Sequence, residues 1–186
     1  NNIIMKDIVV GMGEALWDVL PDGKKIGGAP ANFAYHVSQF GLDSCVVSAV
    51  GGDTLGKEII DNLTSKGVNH HIAEVPYPTG TVQVEIDQAG IPQYEIKENV
   101  AWDNIPWTDA LEALAKETRA VCFGSLAQRS PVSRATIHRF LDSMSPDSER
   151  VFDINLRQSC YNRAIIGQKF ERGPIRKLND EEVEVG

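Results

Sequence analysis

The order of apolar runs and amphipathic stretches constrains this chain more than any other feature. "DIVVGMGE" (7 to 14) and "CVVSAVG" (45 to 51) are continuously apolar, which suits strands buried on both faces. "AVCFGS" (120 to 125) and "RVFDIN" (150 to 155) repeat the pattern later in the chain. Helical stretches stand between them. "APANFAYHVSQFG" has Pro30 near its first turn, Gly41 as its stop, and Phe33, Val37 and Phe40 spaced to form one buried face. "DTLGKEIIDNLTSKG" opens on Asp53 as N-cap and closes at Gly67. "WTDALEALAKETR" and "SPVSRATIHRFLDSM" add two more helices. Strands alternating with helices imply an α/β fold, a parallel sheet with right-handed crossovers and helices on both faces.

One stretch breaks the rhythm. "TGTVQVEID", "QAG" and "IPQYEI" (79 to 96) alternate β-branched and polar residues about a turn, which predicts an inserted β-hairpin with one wet face. Its apolar row of Val82, Val84 and Ile86 needs cover, and a second subunit would supply it, so a homodimer is expected. Beyond residue 158 the pattern weakens. Gly167, Gly173 and Pro174 interrupt a helix, "PIRKLN" is a poorly apolar strand, and an open sheet edge is the expected result.

The formal net charge of -8 over 186 residues excludes nonspecific nucleic-acid binding, which needs a basic surface. No apolar run approaches the ~20 residues of a membrane span, and the first residues lack a secretory signal pattern, so a cytoplasmic protein is expected. Cys45, Cys122 and Cys160 form no CxxC pair and read as buried thiols. His36, His70, His71 and His138 show no metal-ligand spacing, and the adjacent His70 and His71 read as surface residues.

Ligands of open α/β sheets sit outside the carboxyl ends of the strands. Asp18 follows the first apolar run, Gly27, Gly28 and Asn32 lead into the next helix, and Gln128 with Arg129 follows "AVCFGS". Asp153, Asn155 and Arg157 close "DINLR". A polyhydroxylated ligand is well held by a short carboxylate and an amide, with glycines admitting the backbone N–H groups. Asp18, Gly28 and Asn32 thus read as a sugar clamp. Taken singly, each also has an ordinary account: a turn aspartate, a tight loop, a helix-start asparagine. "GMGEAL" lacks the third glycine of a dinucleotide fingerprint, and no G-x-x-x-x-G-K-[ST] occurs.

Together these motifs resemble the ribokinase-like sugar kinases of the phosphofructokinase-B type, and most closely their bacterial fructokinases. "GEALWDVLPDGKKIGGAPANFAYHVSQFG" is similar to the family's paired glycines and N-x-A helix, "VGGDTLGKEI" to its GxDxxG stretch, and "FGSLAQRS" to its sugar-facing strand end. "DINLR" resembles D-x-N-x-R, and "NDEE" resembles N-x-x-E. The resemblance implies one ribokinase-like domain, of which residues 1 to 186 are the N-terminal part with the hairpin at about 79 to 96 as a lid. It implies phosphoryl transfer from ATP to a sugar, most naturally fructose to fructose 6-phosphate. Asp18, Gly27, Gly28, Asn32 and Gln128 would bind the sugar and Arg157 the ATP phosphates. Asn179 and Glu182 would organise Mg²⁺ through water. The family's later G-x-G-D turn, with its base aspartate and anion hole, is absent from these residues, so no catalytic residue is assigned and the chain as written is expected not to turn over. A kinase of a 2-keto-3-deoxy sugar acid or a nucleoside, and a noncatalytic sugar-binding or dimerisation module, are the alternatives.

Overall fold

The computed structural model describes residues 7–86, 92–154 and 175–177. In chain order the elements are β1 (Ile8–Met12), β2 (Leu16–Leu20), β3 (Gly23–Gly27), α1 (Ala29–Gln39), β4 (Ser44–Gly51), α2 (Thr54–Ser65), β5 (Asn69–Val75), β6 (Thr81–Ile86) and β7 (Pro92–Ile96). There follow α3 (Asp109–Glu117), β8 (Thr118–Gly124), α4 (Pro131–Ser143), β9 (Glu149–Asp153) and β10 (Ile175–Lys177). The main sheet has the order β10-β9-β8-β1-β4-β5, with every neighbouring pair parallel. This is the expected α/β layering. All of β4 is buried, its two serines included, as its predominantly apolar sequence predicts for a strand covered on both faces.

Helices cover both faces. Leu111 and Leu114 of α3 and Ile137, Phe140 and Leu141 of α4 pack with Val10, Met12, Val47, Val121 and Phe123 on one side. Ala31 and Ala34 of α1 and Ile59 and Leu63 of α2 pack with Val46 and Val50 on the other. Each large side chain buried this way contributes about 1.5–3 kcal/mol. The described residues include no helix long and apolar enough to cross a membrane.

Helix α1 buries a different face from the one expected. Pro30, Ala31 and Ala34 are its buried residues, whereas Phe40 is 85% exposed. The cause is close approach: a Cβ at Gly11 of β1 would strike the Pro30 carbonyl and come within 3.3 Å of the Ala34 methyl. At that spacing the sheet accepts α1's small side and not its aromatic one.

The lid is larger than a hairpin. β6 and β7 pair antiparallel, as the alternation predicts, and β6 also pairs parallel with β2, giving a second sheet of order β3-β2-β6-β7. The segment leading to the glycines is therefore an antiparallel pair of strands instead of a loop. "GKKIG" has too few apolar residues to announce a strand, and cross-strand hydrogen bonds to β2 hold it. β5 is likewise an edge strand with a mostly polar sequence. Val82 and Val84 are 5% and 8% exposed and face the chain's own core beside Leu16 and Trp102, so the chain itself covers two of the three residues that motivated a dimer; the side chain of Ile86 lies outside the described residues.

Candidate functional site

Between β1 and α1 the chain leaves the main sheet, runs out and back through the lid strands β2 and β3, and returns at the paired glycines. Gly28 is the N-cap of α1 with φ +104, a conformation that costs any other residue. A Cβ there would collide with the Glu14 carbonyl, and a Cβ on Gly27 would overlap the Asp18 carboxylate. The glycines are thus demanded by the chain's own approach to itself. Asp18 lies on the lid face shared with Leu16 and Val82, which is the face turned toward the core. Asn32 sits in the first turn of α1, its N–H bonded to the Gly28 carbonyl at 3.0 Å, and is exposed. Asp18 is half-buried. The fold therefore sets the Asp18 carboxylate against Gly27, with Gly28 next in the chain and Asn32 in the first turn that follows.

Gln128 lies inside the protein. It is 0% exposed, its amide donates to the Gly124 carbonyl at 2.6 Å, and its Oε1 lies 3.3 Å from His138 Nε2. The structure thus bonds it inside the protein, to its own strand end and to helix α4. Arg157, Asn179 and Glu182 lie outside the described residues. Within the described residues no group of three His, Cys, Asp or Glu side chains could hold a metal ion.

Two features escaped the sequence. The first is Glu14, 3% exposed at the end of β1. Helix α1 has no side-chain cap from Gly28 and no acidic residue in its first turn, and the Glu14 carboxylate accepts from the Ala29 N–H in their place. Its second oxygen, Oε2, is buried without a partner. Glu14 and Asp153 line a narrow void with Ser125 and Ala29 that leaves no room for a water molecule. Burial pushes the Glu14 carboxyl up to about 7, against the N–H groups of Glu14 and Ala29; Asp153 adds to the rise and Arg129 opposes it.

The second is the pair of ties that holds the lid. Asp53 caps α2 by accepting from Gly56 N–H at 2.8 Å and also accepts from the Thr79 N–H and hydroxyl at 2.9 and 2.6 Å. Burial opposes its ionisation, but these hydrogen bonds win and hold its carboxyl below the usual range. At the lid's other end Arg129 forms a two-bond pair with Asp103. No spacing rule links residues 26 apart in sequence, so neither tie was legible.

With this geometry in place, similarity to known proteins adds the family. Residues 20–162 match the model of the pfkB family carbohydrate kinases. A sugar kinase of Pyrococcus horikoshii is 30% identical over 176 residues, spanning 90% of this chain and 56% of its own length. The fructokinase of Salmonella typhimurium is 28% identical over 186 residues, 92% of this chain and 60% of its own length. Among solved structures, an uncharacterized sugar kinase from Pyrococcus horikoshii in complex with ATP superposes with a TM-score of 0.79 at 29% identity, over 96% of this chain and 65% of that one. The chain thus spans somewhat over half the length of these two curated relatives. A family match across most of the chain, the same layered fold and a glycine-led helix facing an acidic lid strand agree: this chain belongs to the pfkB family of carbohydrate kinases.

Proposed function

We propose that this chain forms the sugar-holding part of an ATP-dependent kinase whose substrate is fructose. One observation carries the reading: the Asp18 carboxylate, on the inner face of the lid, lies against Gly27 beside Gly28 and the first turn of α1. A carboxylate there accepts from two neighbouring sugar hydroxyls, and Asn32 both donates and accepts. The lid above them keeps water away from the transferred phosphoryl group, and the clamp fixes the acceptor hydroxymethyl for attack on the γ-phosphorus of ATP. Arg157 is our candidate for the ATP phosphates. Asn179 and Glu182 are our candidates for the accompanying magnesium, through water.

Calorimetric titration with fructose tests this. Loss of charge-assisted hydrogen bonds, each worth roughly 1.5–3 kcal/mol, predicts that Asp18→Ala weakens binding by well over tenfold. Equal affinity in the two proteins would end the clamp reading.

A second substrate class has one observation in its favour. The two lysines of β3 point to opposite faces. Lys24 pairs with Glu58 and sits over the Trp17 ring, whereas Lys25 is exposed directly across from Asp18, on its face. A cation beside the clamp suits a sugar that carries a carboxylate. If Lys25→Ala weakens binding of a 2-keto-3-deoxy sugar acid and leaves fructose unchanged, the acid is the better substrate; no effect on either removes this alternative.

A further inference from the structure

The guanidinium of Arg129 gathers three parts of the protein. It lies in the short 3-10 turn Leu126–Arg129 that follows β8. Its Nε and Nη2 each donate to an oxygen of Asp103 at 2.9 Å, with the two side chains 10% and 5% exposed. Its plane stands 4.2 Å from the centroid of the fully buried Trp102 ring. Nη2 also donates to the carbonyl of Lys97, the residue immediately after β7. A planar fork makes all of these contacts at once, and a lysine ammonium does not.

Both ends of the lid hairpin meet this unit. Trp102 crowds Gly80 just before β6, where a Cβ would overlap the indole nitrogen, and the Gly80 carbonyl accepts the Trp17 N–H at 3.1 Å. Lys97 is gripped at the exit. One residue inward, Ile96 begins a transverse row that crosses the four lid strands as Ile96, Val82, Asp18 and Lys25. Arg129 therefore holds the end of the row on which Asp18 sits.

We infer that Arg129 is a positioning residue for substrate binding: by clamping Asp103, Trp102 and the Lys97 carbonyl together, it fixes the lid row that carries Asp18 over the paired glycines. This rests on Asp18 being the sugar carboxylate.

Arg129→Lys keeps the charge and loses the fork, and amide hydrogen exchange on the sugar-free protein reads the result. The variant should exchange at least about tenfold faster at residues 17–19 and 82–84, the factor that one lost charge-assisted hydrogen bond supplies, while β4 and β8 keep their protection. Phe140→Leu serves as the control, since a change in the core below α4 lowers protection in all strands together. Calorimetry then reads fructose affinity, which should fall about tenfold or more in Arg129→Lys. Lid protection that falls only in step with β4 would overturn the inference, and so would unchanged fructose affinity beside a wild type that binds. A wild type that binds no fructose instead refutes the proposed substrate, and the exchange experiment still decides whether Arg129 anchors the lid.

Discussion

Replacing Glu14 by glutamine tests the least ordinary electrostatic feature of this fold. The carboxyl is 3% exposed, has one oxygen without a partner, shares a void too small for water with Asp153, and is pushed up to about 7 from an ordinary 4.5. Between those two values the folded protein binds a proton that the unfolded chain has released, so stability falls as pH rises through the interval and levels off above 7. The full difference corresponds to about 3 kcal/mol at pH 8. Glutamine is neutral at every pH, can accept from Ala29 N–H, and can turn its amide toward Asp153. Urea denaturation of both proteins at pH 5, 6, 7 and 8 should give similar stabilities at pH 5 and a Glu14→Gln advantage that grows to roughly 2–3 kcal/mol at pH 8. His70, whose ring is held below its usual range by burial and by His71, is present in both proteins and cancels in the difference. A difference that stays constant from pH 5 to 8 would show that Glu14 is ionised when folded and would refute the reasoning.

Gly28→Ala places a methyl on the Glu14 carbonyl in a φ +104 conformation and should cost at least roughly 2 kcal/mol in urea denaturation; an unchanged midpoint would mean that the N-cap is free to move. Asp53→Ala removes the cap of α2 and both bonds to Thr79, for an expected loss of about 1 kcal/mol near neutral pH. Because the wild-type carboxyl is held low, the loss should shrink as pH falls through its folded-state value below 3.8, and a penalty that does not shrink in acid would point to packing instead.

The parallel sheet, its coverage on both faces and the position of the glycine-led helix were all legible in the sequence, because local pattern decides them. A predominantly apolar run such as residues 45–51 finds its stable place inside a sheet, and Asp53 and Gly67 mark the ends of α2 by chemistry that acts within one turn. The same local chemistry brought Asp18, Gly27, Gly28 and Asn32 into view, since their meaning depends on falling between the first strand and its helix. Contacts formed across the chain were left to the tertiary structure. It made "GKKIG" a strand by pairing it with β2, turned Phe40 outward by bringing α1 onto Gly11, and bonded the Gln128 amide inside the protein. It also put Glu14 under α1 and closed Arg129 onto Asp103. These outcomes share one physical reason: hydrogen bonds, steric exclusion and desolvation act on groups within a few ångströms in space, and only the folded chain determines which groups those are.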